Sequence, residues 1–212
     1  MAQANSRGVF VTFEGIDGSG KSTQARRFVE ALRAKGHDVV ATREPGGAPG
    51  AELIRKLLVE GDPGLWSPET EILLFTAARR DHLERVIEPA LARGAIVVSD
   101  RFADSTRVYQ GAVRGDLRAQ VDALHADFIG LEPHLTYVID MEPEAALARG
   151  LARQSGEDRF EALGAGFQIA LRSGFLDLAK TQVRFSVIDG NRDELAVHAD
   201  VVKVWEERHG NA

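Results

Sequence analysis

The chain contains no cysteine, which excludes disulfides and any thiolate metal site and suits a reducing compartment. Lysine is scarce, with 5 residues against 21 arginines. Long apolar runs are missing as well, and nothing approaches the roughly 20 residues that a membrane-spanning helix needs. The first eight residues, MAQANSRG, are polar, and the apolar run behind them is too short for a signal segment. A cytoplasmic protein with no membrane partner is therefore expected. A net charge of −6 excludes a nucleic-acid binder that works by charge alone, so no nucleic-acid partner is expected. No repeat, low-complexity tract or linker breaks the 212 residues, which read as one domain. The arginine bias has two readings: genomic base composition, or planar forks for phosphate oxygens.

What is present is an alternation. Five short apolar runs, at residues 9–13, 39–42, 95–99, 135–139 and 185–188, are continuous, as in strands buried on both faces. Helical periods lie between them. Ala25, Phe28, Val29 and Leu32 mark the inner face of a first helix stopped at Gly36. Leu53, Ile54, Leu57 and Leu58 mark that of a second stopped at Gly61. Ser67 and Pro68 open a third as N-cap and first helical residue. Strands alternating with helices predict a parallel sheet covered on both faces. Residues 148–164, ARGLARQSGEDRFEALG, mix both charge signs with glycines and read as a mobile flap or a plain solvated loop.

The stretch GIDGSGKS, residues 15–22, fits G-x-x-x-x-G-K-[ST] between a strand and a helix. Glycines let backbone N–H groups turn onto phosphate oxygens, and the helix adds the positive end of its dipole. Lys21 supplies a point charge for the β/γ phosphates, and Ser22 a hydroxyl for Mg²⁺. Asp100 ends the third run and would emerge beside this loop, as a metal-side carboxylate or as a plain N-cap. These residues predict a nucleoside-triphosphate site. No NKxD-like guanine-reading segment is present, which disfavours a GTPase.

Five segments, FEGIDGSGKST, TREPGG (42–47), LLFTAARRDH (73–82), SDRFADSTRVYQG (99–111) and DRFE (158–161), resemble the thymidylate kinase family in order and spacing. The resemblance implies an α/β fold: a P-loop kinase three-layer sandwich, with a five-stranded parallel sheet, helices on both faces and a short lid at about 148–164, all within one domain spanning 1–212. It implies phosphorylation of dTMP to dTDP by ATP with Mg²⁺, and a homodimer, the form the family takes. The alternative is another small phosphate-loop kinase acting on a different nucleotide or nucleoside.

By the same resemblance, Gly15, Ile16, Asp17, Gly18, Ser19, Gly20, Lys21, Ser22 and Thr23 cradle ATP, with Arg159 on the ATP side and Ser22 and Asp100 toward Mg²⁺. Phe75 stacks on thymine, and Arg79, Thr106 and Gln110 meet the base. Tyr109 packs on the sugar where a 2′-hydroxyl would not fit. Asp17 lies near the 3′-hydroxyl, and Arg43, Arg55 and Arg101 near the monophosphate. Lys21, Arg101, Arg153 and Arg149 are the expected catalytic cations. In one branch of the family an arginine stands in the phosphate loop where this chain has Gly18, so here the lid arginines must serve. Val108, Ala78 and Phe102 depart from the family's usual alanine, acid, and tyrosine or histidine.

Overall fold

The five apolar runs form strands β1 Phe10–Glu14, β2 Val39–Arg43, β3 Ile96–Asp100, β4 Leu135–Asp140 and β5 Phe185–Asp189. The computed structural model describes residues 8–62, 64–151 and 164–210. The strands are parallel in the order β2-β3-β1-β4-β5. Around them lie α1 Lys21–Ala34, α2 Pro49–Val59, α3 Pro68–His82, α4 Glu88–Ala92, α5 Ala103–Thr106, α6 Arg118–Phe128, α7 Pro143–Leu151, α8 Gly164–Ala179 and α9 Glu194–His209. A wide π turn at Leu83–Ile87 joins α3 to α4, and another at Arg107–Val113 extends α5.

Period-two alternation decides which side chains meet which layer. Val11, Phe13, Val98, Leu135, Tyr137 and Ile139 pack against Phe28 and Leu32 of α1 and Val201 and Trp205 of α9. On the other face, Phe10 and Val97 meet Leu83, Ile87 and Phe102, while Val138 meets Tyr109, Leu171 and Phe175. Both faces are thus covered, which is why the runs are continuous and not alternating. The cap signal at Ser67 is realised: its Oγ accepts from the Thr70 N–H at 3.2 Å.

One expectation needs correction. Leu53 and Leu57 do not face the core; they are 68% and 48% exposed. The α2 helix rests on α3 through Ala51 against Ala78, with Ile54 beside them, and this contact turns Leu53 and Leu57 outward. Residues 148–151, at the start of the expected lid, form the last turn of α7. The rest of the expected lid, with Arg153 and Arg159, lies outside the described residues.

The second face of the sheet carries a polar stripe. The Thr12 and Thr136 hydroxyls meet at 2.9 Å, and Arg184 Nη1 donates to Thr136 Oγ1 at 2.7 Å. Arg184 also grips Asp104 with both terminal nitrogens, at 2.7 and 2.8 Å, and Arg107 Nη1 adds a third contact at 2.8 Å. Asp104 is fully buried, and these two guanidinium groups stabilise its charge. This ion pair ties α5 to the β4–β5 edge. Asp104→Ala is expected to cost roughly 3–5 kcal/mol in urea unfolding, because it removes the fully buried partner of two buried guanidinium groups and leaves them the more exposed Glu132 and Asp122. A loss under about 1 kcal/mol would mean that the pair is not what anchors α5.

Candidate active site

The carboxyl ends of β1, β2 and β3 gather the loops, as open parallel sheets do at a topological switch point. Between β1 and α1 the chain turns through Gly15, Gly18 and Gly20, with φ of 137°, 82° and 94°. Left-handed values such as the last two favour glycine. Gly20 caps α1 without any side-chain hydrogen bond, so the first N–H groups of the helix have no side-chain partner. That is the donor array an anion requires. The Ile16 side chain is buried in the core, which leaves only its backbone for a ligand.

Lys21 is 6% exposed and donates to the Ile16 carbonyl and to Asp17 Oδ1, both at 3.2 Å. Arg101, the only non-glycine with positive φ among the described residues, donates from Nη2 to Asp17 Oδ1 at 2.5 Å. The Tyr109 hydroxyl donates to Asp17 Oδ2 at 2.9 Å. Burial alone would raise the Asp17 carboxyl, but Arg101 and Lys21 beside it hold it well below the usual carboxylate range. Burial, with help from Arg101, pushes the Lys21 ammonium down, and Asp17 and Asp100 oppose that shift. Behind them, Glu14 accepts from the Phe102 N–H at 2.8 Å and the Ser105 hydroxyl at 2.6 Å. Burial and the neighbouring Asp104 push Glu14 up to about 7.

These groups border a cavity of about 610 Å³. The loop and β3 contribute Asp17, Gly18, Lys21, Ser22, Asp100 and Arg101, while Phe75, Arg79, Thr106 and Tyr109 come from α3, α5 and the π turn. Arg43 and Arg55 also line it; Arg43 leans on Glu52 at 3.3 Å, and Arg55 donates to the Pro45 carbonyl. The Asp100 Oδ1 atom is buried without a hydrogen-bond partner among the described residues, and Ser22 lies exposed on the same cavity. An unsatisfied carboxylate oxygen beside a hydroxyl fits a hard divalent cation. No cluster of three or more acidic or histidine side chains occurs among the described residues, so further ligands would come from water and phosphate.

Of the expected site residues, Gly15, Ile16, Ser19, Gly20 and Thr23 of the loop do not line this cavity, and neither do Gln110 and Arg149. Gln110 is 1% exposed, and its Nε2 is spent on Glu71 Oε2 at 2.9 Å. Arg149 is exposed on α7 and contacts Met141 Sδ at 3.6 Å. The sequence motifs assigned no role to Glu44 and Ser105, which line the cavity and hold Arg79 and Arg101, or to Glu14 and His82, which hold those two residues from behind. Glu44 and His82 stood inside recognised motifs, but nothing in their spacing announced a shared partner.

The absence of an arginine at position 18 has a steric cause. A Cβ on Gly18 would stand 1.9 Å from the Ala146 carbonyl oxygen of α7. Gly18→Ala should therefore displace the loop or α7 and lower kcat/KM by about 10²-fold, since small misplacements at a reacting centre cost that much. Wild-type kinetics for this variant would show that the contact is dispensable.

A family model described as thymidylate kinase matches residues 13–201. The chain is 71% identical over 196 residues to a thymidylate kinase of Dinoroseobacter shibae, covering 92% of this chain and 95% of that one. It is 51% identical over 208 residues to that of Caulobacter vibrioides, covering 97% and 99%. Among solved structures, the thymidylate kinase of Ehrlichia chaffeensis superposes with a TM-score of 0.75 at 36% identity, covering 94% of this chain and 99% of that one. With its phosphate loop, its arginine-lined cavity and this agreement along nearly its whole length, the chain belongs to the thymidylate kinase family, the enzymes that phosphorylate dTMP.

Proposed function

We propose that one domain, residues 1–212, moves the γ-phosphoryl group of ATP onto dTMP in the cytoplasm, releasing dTDP and ADP. The observation that carries this reading is a single cavity bordered both by Lys21 of the phosphate loop and by Arg101, Phe75, Arg79 and Tyr109. Transfer between two phosphates needs two anion sites that face each other. The loop from Gly15 to Thr23 holds the ATP phosphates, and Arg43, Arg55 and Arg101 hold the monophosphate. Mg²⁺ at Ser22 and Asp100 would neutralise charge on the transferring group.

The remaining chemistry is positioning. A dTMP phosphate oxygen is already anionic, so no general base is required for in-line attack. Asp17 keeps Lys21 and Arg101 folded inward until phosphates replace it, and then accepts from the sugar 3′-hydroxyl. Tyr109, tied to Asp17, stands where a ribose would carry its 2′-hydroxyl. Phe75 stacks on thymine, Arg79 and Thr106 meet its edge, and Gln110 acts from beneath the wall. Arg153, assisted by Arg149 once it leaves Met141, supplies the charge that Gly18 cannot, with Arg159 on the ATP side.

A coupled ADP-release assay over a panel of nucleoside monophosphates tests this reading. dTMP should be favoured and its ribose counterpart rejected. Lys21→Ala should abolish transfer with an unchanged melting curve, and Arg153→Ala should lower kcat by ~10²–10³. Comparable rates for all monophosphates, or full activity without Lys21, would overturn it.

A homodimer is part of the proposal. Leu53 and Leu57 on α2 and Leu73 on α3 are exposed on two helices that pack together, and they suit a second copy. Leu57→Glu with Leu73→Glu should convert a dimer to a monomer in light scattering. A wild-type monomer would refute it.

A further inference from the structure

Arg79 is held on three sides. Its Nε donates to Glu44 Oε2 at 2.7 Å, its Nη2 to Thr106 Oγ1 at 3.0 Å, and its guanidinium lies 5.1 Å above the Phe102 ring. Among the described residues Nη1 is the nitrogen these contacts leave free, on a side chain that lines the cavity. Glu44 does not act alone: its second oxygen, Oε1, meets His82 Nδ1 at 3.0 Å, and His82 Nε2 meets Thr42 Oγ1 at 2.6 Å.

A carboxylate only accepts, so Nδ1 carries the proton toward Glu44, and Nε2 is left to accept from the Thr42 hydroxyl. The result is a directional chain of donation, Thr42 to His82 to Glu44, and the same carboxylate accepts from Arg79. It is dry: His82 is 0%, Arg79 4% and Glu44 5% exposed. Room has been left for it, because a Cβ on Gly47 (φ 86°) would stand 2.5 Å from both His82 Nε2 and Thr42 Oγ1.

We propose that His82 is a positioning residue for base selection: through Glu44 it fixes the plane of Arg79, so that Nη1 meets a pyrimidine carbonyl and rejects an exocyclic amine. This rests on the reading that Arg79 faces the base. A guanidinium is a donor only, so a carbonyl oxygen satisfies it and an amino group leaves it unpaired. Selection of that kind requires a fixed donor, since a mobile one can turn away from the wrong base.

The test is steady-state kinetics with dTMP and dCMP on His82→Ala, His82→Asn, His82→Gln, Arg79→Ala and the double variant Arg79→Ala/His82→Ala. His82→Ala should raise KM for dTMP about tenfold, the scale of one charge-assisted hydrogen bond, with kcat and the KM for ATP within about twofold. The preference for dTMP over dCMP should fall in parallel. Asparagine places an N–H where Nδ1 stood and should restore most of the KM; glutamine reaches the Nε2 position and should not. Because the relay acts only through Arg79, the double variant should match Arg79→Ala. Multiplicative effects would make His82 an independent packing residue and overturn the proposal, as would equal behaviour of asparagine and glutamine. An unchanged dTMP KM in Arg79→Ala would instead remove the base-facing reading, and the proposal with it. If His82→Ala does not fold, the asparagine–glutamine pair carries the test.

Discussion

A carboxylate in the middle of an anion site is the constraint around which this structure is arranged. Asp17 lies in a loop whose backbone, helix end and lysine all favour negative charge, and it is held by Lys21, Arg101 and Tyr109 at once. The two cations come from different strands, β1 through its loop and β3 through its end, so this one side chain locks the phosphate loop to the opposite wall. It also keeps two cations close together without a ligand, which neither would tolerate alone.

The arginines in turn are set by buried acids, of which Glu14 and Asp104 stand behind the cavity wall and Glu44 forms part of it. Glu14 orders Ser105, which accepts from Arg101 Nη1 at 2.8 Å, and Asp104 anchors the start of the same segment to the sheet. Glu44 does the same for Arg79. Arg79 and Arg101 are thus each set by a buried anion, Arg79 directly and Arg101 through Ser105, within a chain whose net charge is −6. The arginine-rich composition has a structural use here, whatever its origin: a planar fork can bond an acid on one edge and keep another edge for substrate.

The strands, their parallel pairing and the phosphate loop were legible because each is written in contiguous residues. The face of α2 was not. Leu53, Ile54, Leu57 and Leu58 satisfy a helical stripe, but which side of it is covered depends on where α3 lies, and sequence period carries no such information. Phe75, Arg79 and Tyr109 were legible only through family resemblance; by period alone Phe75 and Arg79 read as core and surface. The π turn at Arg107–Val113 was invisible, although it sets the register of Tyr109 and Gln110. The Thr42–His82–Glu44 chain could not have been read either, since its members come from elements 38 residues or more apart in places and meet only after folding.

The close approach of Gly18 to the Ala146 carbonyl makes the phosphate loop and α7 a single mechanical part. Packed backbone does not deform by small continuous amounts. A displacement of the loop must therefore carry α7 along with it, from Pro143 to Leu151. In mechanical terms the phosphate loop thus ends not at the start of α1 but at the far end of α7.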